Sequence, residues 1–263
     1  MGGVIPKLST RDLVKEFDVR SDPVRALDGI NIHVDAGEIV CLLGASGCGK
    51  STLLQIAAGL CEPTSGSVMV DGHEVDGPGP DRGLVFQSYS LYPWRSVAGN
   101  VAFGLQVQNL SREEITRRVD RYLDVMELTR FSNALPKELS GGMQQRTAIA
   151  RALATEPSVL LLDEPFGALD AQTRASMQEF LLQVWRDTDA TILMVTHDVE
   201  EAVFLAQRIY VMTPHPGRIA EEIDVPFGTS REHHLLREPA FQRLCEHLDD
   251  LLHGRRPRAP EHA

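Results

Sequence analysis

The stretch that decides the fold is EIVCLLGASGCGKSTLLQIAAGL, residues 38–60. It starts with a continuous apolar run, which is typical of a strand buried on both faces of a sheet. The segment GASGCGKST, residues 44–52, fits the pattern G-x-x-x-x-G-K-[ST]. The leucines and the isoleucine that follow recur at helical spacing, and Gly59 is placed to end the helix. In this strand–loop–helix order a glycine-rich loop binds phosphate groups.

The glycine-rich loop predicts a nucleotide site that also holds Mg²⁺. Its glycines let the backbone curl so that N–H groups face phosphate oxygens. Lys50 places a compact cation on the β- and γ-phosphate oxygens, and the Ser51 hydroxyl is a ligand for Mg²⁺. A glycine-rich turn without a ligand is the alternative, but the flanking strand and helix favour ATP binding. The predicted nucleotide contacts are Gly44, Ala45, Ser46, Gly47, Cys48, Gly49, Lys50, Ser51 and Thr52.

The composition excludes several classes of protein. A net charge of −11 disfavours a nucleic-acid partner, because its phosphates would be repelled. No apolar run approaches the ~20 residues that cross a bilayer, and the first residues lack the apolar segment of a secretory signal. We therefore expect a cytoplasmic chain. Its four cysteines form no C-x-x-C pair, which favours reduced thiols over disulfides or a zinc site.

The rest of the chain predicts an α/β fold with a parallel sheet. Short polar–apolar alternations in the first forty residues indicate an N-terminal antiparallel β subdomain. SVLLLD (residues 158–163) and ATILMVT (residues 190–196) read as two further buried strands, each followed by a helical pattern. Strands that alternate with helices lie in a parallel sheet.

The middle of the chain predicts an inserted helical subdomain. Ser111 and Glu114 form a capping-box pattern, and an apolar helical face follows it. The members of this face are Ile115, Val119, Tyr122, Leu123 and Met126. We expect one domain over residues 1–263, with a nucleotide-binding α/β core at 1–87 and 156–230 and a helical subdomain at 88–155. Residues 231–263 would form a C-terminal helix, at about 238–252, and a frayed tail.

Polar residues follow the predicted strands at the edge where parallel sheets bind ligands. Asp163 would hold Mg²⁺ through water, and Glu164 would orient or deprotonate the attacking water. His197 ends the strand at 190–196, so we expect it to contact the γ-phosphate or the water, although a single histidine is more often structural. Gln87 follows another apolar run, and its amide could reach the water or Mg²⁺ without adding charge.

A second anion-facing turn lies at LSGGMQQR, residues 139–146. Two adjacent glycines at a helix start leave backbone N–H groups bare, and the helix dipole adds to their attraction for an anion. Ser140 is also placed to be the N-cap of that helix, and a cap does not exclude a ligand. The phosphate loop lies far upstream, so the partner of this turn does not follow from the turn alone.

In order, these elements resemble those of ABC transporter ATP-binding subunits over nearly the whole chain. The matching set is GASGCGKST, Gln87, LSGGMQQR, SVLLLDEP, GALD (residues 167–170) and His197. The resemblance implies an ATP-bound homodimer, in which Ser140, Gly141 and Gly142 contact the γ-phosphate held by the opposite subunit's Lys50. Asp170 would meet the partner subunit. Phe17 would stack on adenine, with a place in the core as the alternative. Met143 stands where the common signature has glutamine.

The resemblance also implies two transmembrane permease subunits, which would dock near Gln87 and the helical subdomain. The segment SYSLYPWRSVAGNVAFGL, residues 88–105, supplies the docking anchors we expect to be exposed. They are Tyr89, Leu91, Tyr92 and Trp94, with packing inside the helical subdomain as the alternative. The chain would then be peripheral on the cytoplasmic face of the inner membrane.

Two stretches are similar to the nitrate, taurine and aliphatic sulfonate importer branch. They are LYPW, residues 91–94, and MTPHPGRIAEEIDVPF, residues 212–227. This likeness implies indirect work with a periplasmic solute-binding protein, while the solute is not encoded in these residues. An exporter subunit remains an alternative, as does a soluble ABC ATPase acting on ribosomes or DNA, which the acidic charge disfavours. A small-molecule kinase would not need the turn at LSGGMQQR, residues 139–146, which we call the signature turn.

Overall fold

The structure, a computed structural model, describes residues 5–19 and 22–253. In these ranges the strands are β1 Leu8–Val19, β2 Asp22–Ile30, β3 His33–Val34, β4 Ile39–Gly44, β5 Ser65–Val70, β6 His73–Glu74, β7 Arg82–Val85, β8 Val159–Asp163, β9 Ile192–Thr196, β10 Arg208–Thr213 and β11 Arg218–Asp224. The α-helices are α1 Lys50–Ala57, α2 Val97–Val107, α3 Arg112–Val125, α4 Gly141–Leu153, α5 Ala171–Thr188, α6 Val199–Leu205 and α7 Pro239–Leu252.

A six-stranded sheet has the order β11-β10-β4-β9-β8-β7. Its neighbours are parallel except β10 and β11, which are antiparallel. Every residue of β4 and β9 is buried, as their continuous apolar sequences predict. The carboxyl ends of β4, β9 and β8 therefore meet at one edge, where they place Gly44, Thr196 and Asp163.

The antiparallel sheet has the order β2-β1-β5-β6, with β3 also paired to β1. Its first strands confirm the predicted N-terminal antiparallel subdomain. Strands β5 and β6, which follow α1, complete this sheet and were not predicted from the sequence. The β5 segment begins with exposed Ser65 and Gly66 and buries only alternate residues at its end, so it lacks the apolar run of a central strand.

The large sheet has an apolar core on each face. Successive residues of β4 alternate between them: Ile39, Cys41 and Leu43 face the core shared with α2 to α7, and Val40 and Leu42 face the core shared with α1 and the antiparallel sheet. Each such fully buried side chain contributes roughly 1.5–3 kcal/mol relative to an exposed one. The sheet is thus held on both faces, and its carboxyl edge is a rigid support.

The helical region confirms the predicted apolar face of α3, since Val119, Tyr122 and Leu123 are buried. The predicted capping box is only half formed, so the prediction is wrong for its second bond. Ser111 Oγ accepts from the Glu114 amide at 3.2 Å, but the Glu114 carboxylate accepts from Arg117 Nε at 2.9 Å and Arg118 Nε at 2.6 Å instead of reaching back to the cap.

No helix in the described ranges combines the length and the apolar character needed to cross a membrane.

The C-terminal helix is confirmed at α7, where Phe241, Cys245 and Leu248 are buried. The predicted tail after it lies outside the described residues. The segment before α7 is tied down by Arg231, a buried arginine that the sequence did not single out. All four cysteines carry free thiols, and all but the half-buried Cys61 are buried, as predicted.

Candidate functional site

The loop between β4 and α1 has a shape that two of its glycines make possible. Gly49 has φ of +103°, and a Cβ there would lie 2.9 Å from the Ala26 carbonyl oxygen. At Gly44 a Cβ would lie 2.6 Å from Cys48 Sγ and 3.0 Å from the Met212 carbonyl oxygen. A side chain at either position would push the loop open. The glycines of the predicted phosphate loop therefore have a steric reason in this fold.

Lys50 lies folded over this loop and is only 4% exposed. Its Nζ donates to the carbonyl oxygens of Gly44 at 2.7 Å and Ala45 at 3.1 Å. The nearest carboxylate oxygen, Glu164 Oε1, is 4.0 Å away. A buried ammonium held mainly by neutral oxygens favours an anion more strongly than a fully ion-paired one does. The arrangement fits the phosphates of a nucleotide.

Ser51 and Asp163 meet across the carboxyl edge of the sheet. Ser51 Oγ donates to Asp163 Oδ1 at 3.0 Å. Burial raises the pKa of Asp163, and the bond from Ser51 opposes this shift. A hydroxyl and a carboxylate supply the oxygen donors that Mg²⁺ prefers, and a nearby cation would favour the ionised carboxylate. The pair fits the predicted magnesium site.

Glu164 lies between two other predicted catalytic residues. His197 Nδ1 is 3.2 Å from Glu164 Oε2, and Gln87 Nε2 donates to the same oxygen at 3.4 Å. Glu164 has φ of +42°, a left-handed backbone that non-glycine residues rarely adopt. Its amide donates to the Val195 carbonyl at 3.1 Å, which fixes the turn against β9. The structure thus brings Glu164, His197 and Gln87 into one group beside Lys50.

The signature turn lies at the start of α4. Ser140 Oγ accepts from the Met143 amide at 3.3 Å, so Ser140 is the N-cap that the sequence offered as one reading. A Cβ at Gly142 would lie 3.2 Å from Thr173 Cγ2, which shows how closely α4 approaches α5. Ser140 and Gly142 line a cleft with Met143, and residues of the first turn of α5 line its other side. This cleft is formed by the helical region and α5.

Asp170 is the N-cap of α5, a role that the sequence did not predict. Its Oδ1 accepts from the amides of Gln172 at 3.1 Å and Thr173 at 3.0 Å. The hydrogen bond from the Thr173 hydroxyl, followed by these amide bonds, lowers the pKa of Asp170. Phe17 lies on β1 with 39% of its surface exposed, and Lys15 Nζ is 5.0 Å from its ring centroid. The alternative that Phe17 belongs to the core is therefore wrong.

The predicted docking anchors differ in exposure. Tyr89 is buried, so its exposure was predicted wrongly. Its φ is +59°, and Arg151 holds the turn by donating to the carbonyls of Tyr89 at 2.9 Å and Ser90 at 2.7 Å. Leu91 is half-buried against the core, which is the alternative reading. Trp94 is 74% exposed.

Trp94 is part of a small surface rich in aromatic residues, which we call the aromatic ledge. Its members are Tyr92, Trp94, Arg95 and Phe103. The Tyr92 ring centroid is 5.8 Å from that of Trp94 and 4.6 Å from that of Phe103. The Arg95 guanidinium lies 4.8 Å from the Phe103 centroid. These contacts hold an exposed tryptophan on a firm base, as interface anchors require.

With the site described, comparison with known proteins identifies the family. A family model described as ABC transporter matches residues 27–167, which is more than half of the chain. The chain belongs to the ABC transporter family. It is therefore an ATP-binding and ATP-hydrolysing subunit that works in transport. The match runs from β2 to the turn after Glu164, and so includes the phosphate loop, the signature turn and Asp163.

Curated ABC proteins are similar over most of their length. The nitrate import ATP-binding protein NrtD of Synechocystis sp. is 52% identical over 94% of this chain and 96% of its own. The taurine import ATP-binding protein TauB of Pelagibacter ubique is 47% identical over 80% of this chain and 79% of its own.

Solved ABC structures share the fold. A dimeric ATP-binding cassette in a post-hydrolysis state, bound to ADP and phosphate, matches with a TM-score of 0.72 and 32% identity, covering 84% of this chain and all of that one. The cbiO1 subunit of Clostridium perfringens, part of the ABC transporter complex cbiONQ, matches with a TM-score of 0.76 and 28% identity, covering 94% and 98%. These matches confirm the predicted α/β fold class.

Proposed function

We propose that this chain is the energy-coupling ATPase subunit of an importer for nitrate, taurine, an aliphatic sulfonate or a similar small solute. The observation that carries the ATPase role is the meeting of Lys50, Ser51–Asp163 and Glu164–His197 at one sheet edge. The solute class rests on the relatives named for nitrate and taurine import. An exporter role is the alternative to be tested.

The residues have distinct tasks in hydrolysis. The loop amides and Lys50 bind the phosphates of ATP and withdraw charge from the terminal one. Ser51, Asp163 and Gln87 hold Mg²⁺, which when bound neutralises phosphate charge. Glu164 takes a proton from the attacking water. At the same time the water oxygen bonds to the γ-phosphorus, and the bond from that phosphorus to the bridging oxygen of ADP breaks. His197 Nδ1 lies 3.2 Å from Glu164 Oε2. His197 orients that carboxylate toward the attacking water and contacts the γ-phosphate.

The second half of each site would come from another copy of the chain. Ser140, Gly141 and Gly142 begin α4, and their amides and the helix dipole favour the γ-phosphate held by the partner's loop. Asp170 would lie at the contact between subunits, and Phe17 would stack on adenine. The exposure of Ser140 and Phe17 is consistent with this role. The dimeric form of a solved relative supports the arrangement.

The aromatic ledge is the proposed docking surface for the two permease subunits. Its first member, Tyr92, lies five residues after Gln87, so a movement at the γ-phosphate can be transmitted through the intervening segment. Docking would make the chain peripheral on the cytoplasmic face of the inner membrane, working indirectly with a periplasmic solute-binding protein.

Reconstitution tests the proposal. The chain is purified with the membrane subunits and binding protein encoded beside it and placed in liposomes with internal or external Mg-ATP. Nitrate and taurine uptake is measured, with Lys50→Ala as the inactive control. ATP-dependent uptake of one of these solutes is expected. ATP-dependent movement of solute only in the outward direction would overturn the importer assignment.

Docking has its own test. Trp94→Ala is expected to lower co-purification with the membrane subunits by at least tenfold, on the scale of about 1.4 kcal/mol or more lost at an interface hot spot. Val107, 64% exposed on the same helical region, supplies the matched control Val107→Ala, for which no loss is expected. Equal loss for both variants would contradict the assignment of the ledge.

A further inference from the structure

Glu201 on α6 is a buried acidic side chain. It is 4% exposed, and its Oε1 is buried with no hydrogen-bond partner among the residues that the structure describes. A buried carboxyl of this kind is costly and needs a reason. None of the hydrolytic steps above uses it, yet it lies four residues after His197.

The turn that carries His197 is built around Glu201. Asp198 is the N-cap of α6, and its Oδ1 accepts from the Glu201 amide at 3.0 Å. The Asp198 amide in turn donates to Thr196 Oγ1 at 3.1 Å. The Thr196 hydroxyl also lies near the Glu201 carboxyl and lowers its pKa, against the larger effect of burial. Glu201 is thereby joined to the residues on both sides of His197.

On its other side the Glu201 carboxyl meets α5. The Gln178 side chain, itself 8% exposed, lies near it and lowers its pKa. One turn earlier, Arg174 Nη1 is 3.8 Å from Asp198 Oδ2, and Nη2 donates at 3.2 Å to the carbonyl of Leu169, the residue before Asp170. The cluster therefore connects the His197 turn to the start of α5.

We propose that Glu201 is a positioning residue that fixes the His197 turn against α5, and so keeps His197 aligned with Glu164 and with the Asp170 end of that helix. The inference rests on the proposed role of His197 at Glu164. Because His197 is 55% exposed and its partner oxygen is 3.2 Å away, that contact depends on where the turn is held.

The chemistry of the cluster favours a neutral carboxyl. Burial, with a smaller contribution from the Asp198 charge, raises the pKa of Glu201 to about 8. Two other ionisable groups face it: Arg174 on α5 and the buried Cys41 thiol on β4. The ionisable groups on the remaining neighbours face other residues, because Cys245 of α7 lies toward Asp198 and the His233 ring stacks on Phe204. At pH 7 the group has one O–H donor and one acceptor, as an amide has. Above pH 8 it becomes a buried anion beside Asp198, and the turn loses its support.

The test is a pH profile of ATP turnover by the full chain assembled with its membrane subunits. Wild type, Glu201→Gln, Glu201→Ala and the control Glu200→Gln, an exposed neighbour on α6, are compared from pH 6.5 to 9.5. With a pKa of about 8, wild-type kcat is expected to fall about tenfold between pH 7 and pH 9. Glu201→Gln keeps wild-type kcat at pH 7 and lacks this fall. Glu201→Ala loses at least tenfold in kcat while KM for ATP stays within threefold.

Loss of activity by Glu201→Gln at pH 7, or a high-pH fall shared by that variant and wild type, overturns the inference. Glu201→Ala can also fail to fold, so the decisive comparison is between the glutamine variant and wild type. Glu164→Gln is measured in parallel. Wild-type turnover by Glu164→Gln would remove the proposed catalytic scheme itself, whereas its inactivity with no Glu201 effect removes only the positioning role.

Discussion

Glu164→Gln is the most informative single change at the site. The substitution keeps the length and shape of the side chain but replaces the base with a neutral amide. General-base assistance contributes about 10²–10⁴-fold, so kcat for ATP hydrolysis is expected to fall by that factor. At the upper end this corresponds to about 5.5 kcal/mol of transition-state stabilisation.

The same geometry limits the effect on ATP binding. The carboxylate contributes contacts of 3.2 Å to His197 and 3.4 Å to Gln87, and its distance to Lys50 Nζ is 4.0 Å. A side-chain amide can keep one of the first two contacts, and one lost hydrogen bond costs about 1 kcal/mol. Removing the negative charge near Lys50 favours the phosphates. The ATP dissociation constant is therefore expected to stay within about tenfold of wild type or to decrease.

Two assays separate these effects: phosphate release at saturating Mg-ATP, and equilibrium binding of ATP by calorimetry. Glu113→Gln, on the exposed side of α3, is the matched control and keeps wild-type turnover. A kcat for Glu164→Gln within tenfold of wild type would refute the assignment of Glu164 as the base. A large loss of ATP affinity would show that Glu164 acts mainly in binding.

Three further changes test the loop and the fold. Lys50→Ala removes the buried ammonium and is expected to weaken ATP binding at least a hundredfold by calorimetry; unchanged affinity would contradict the phosphate loop. Gly59→Ala sets a Cβ 2.0 Å from the Gly77 carbonyl oxygen at φ of +73° and should lower the denaturation midpoint far more than Gly77→Ala, which meets only open space. Arg231→Met removes bonds to five backbone carbonyls and is expected to cost roughly 3–5 kcal/mol, or about 10 °C in Tm; a shift under 3 °C would contradict it.

The central strands and the phosphate loop were predictable because one physical cause produced each pattern. Strand β4 is buried on both faces, so its sequence is a continuous apolar run. Gly49 has a backbone that side chains disfavour, so the motif is visible in the residues themselves. The residues after β8 and β9 were placed at one edge by the rule for parallel sheets.

Other features depend on distant parts of the chain and leave weak local signals. Strand β11 is an exposed edge whose burial only alternates, so its sequence carries no apolar run. The inward direction of Tyr89 is fixed by Arg151, 62 residues away. The Glu114 carboxylate left the capping box because two arginines on the same helix offered charged partners.

The proposed role of the signature turn depends on a second copy of the chain. In one subunit Ser140 caps α4 and lines a cleft with α5. The residues thus indicate a helix start suited to an anion, while the source proposed for that anion comes only from the family resemblance. We therefore claim a composite site between two subunits.

Light scattering tests that claim most directly. The mass of Glu164→Gln is measured with and without Mg-ATP, and again with Ser140→Arg or Ser111→Arg added. Ser111 is also a helix N-cap serine, on α3, and controls for the loss of a cap. We expect Glu164→Gln to form an ATP-dependent dimer, which added Ser140→Arg abolishes and added Ser111→Arg preserves. A dimer that survives Ser140→Arg would contradict the placement of the signature turn on the partner's nucleotide.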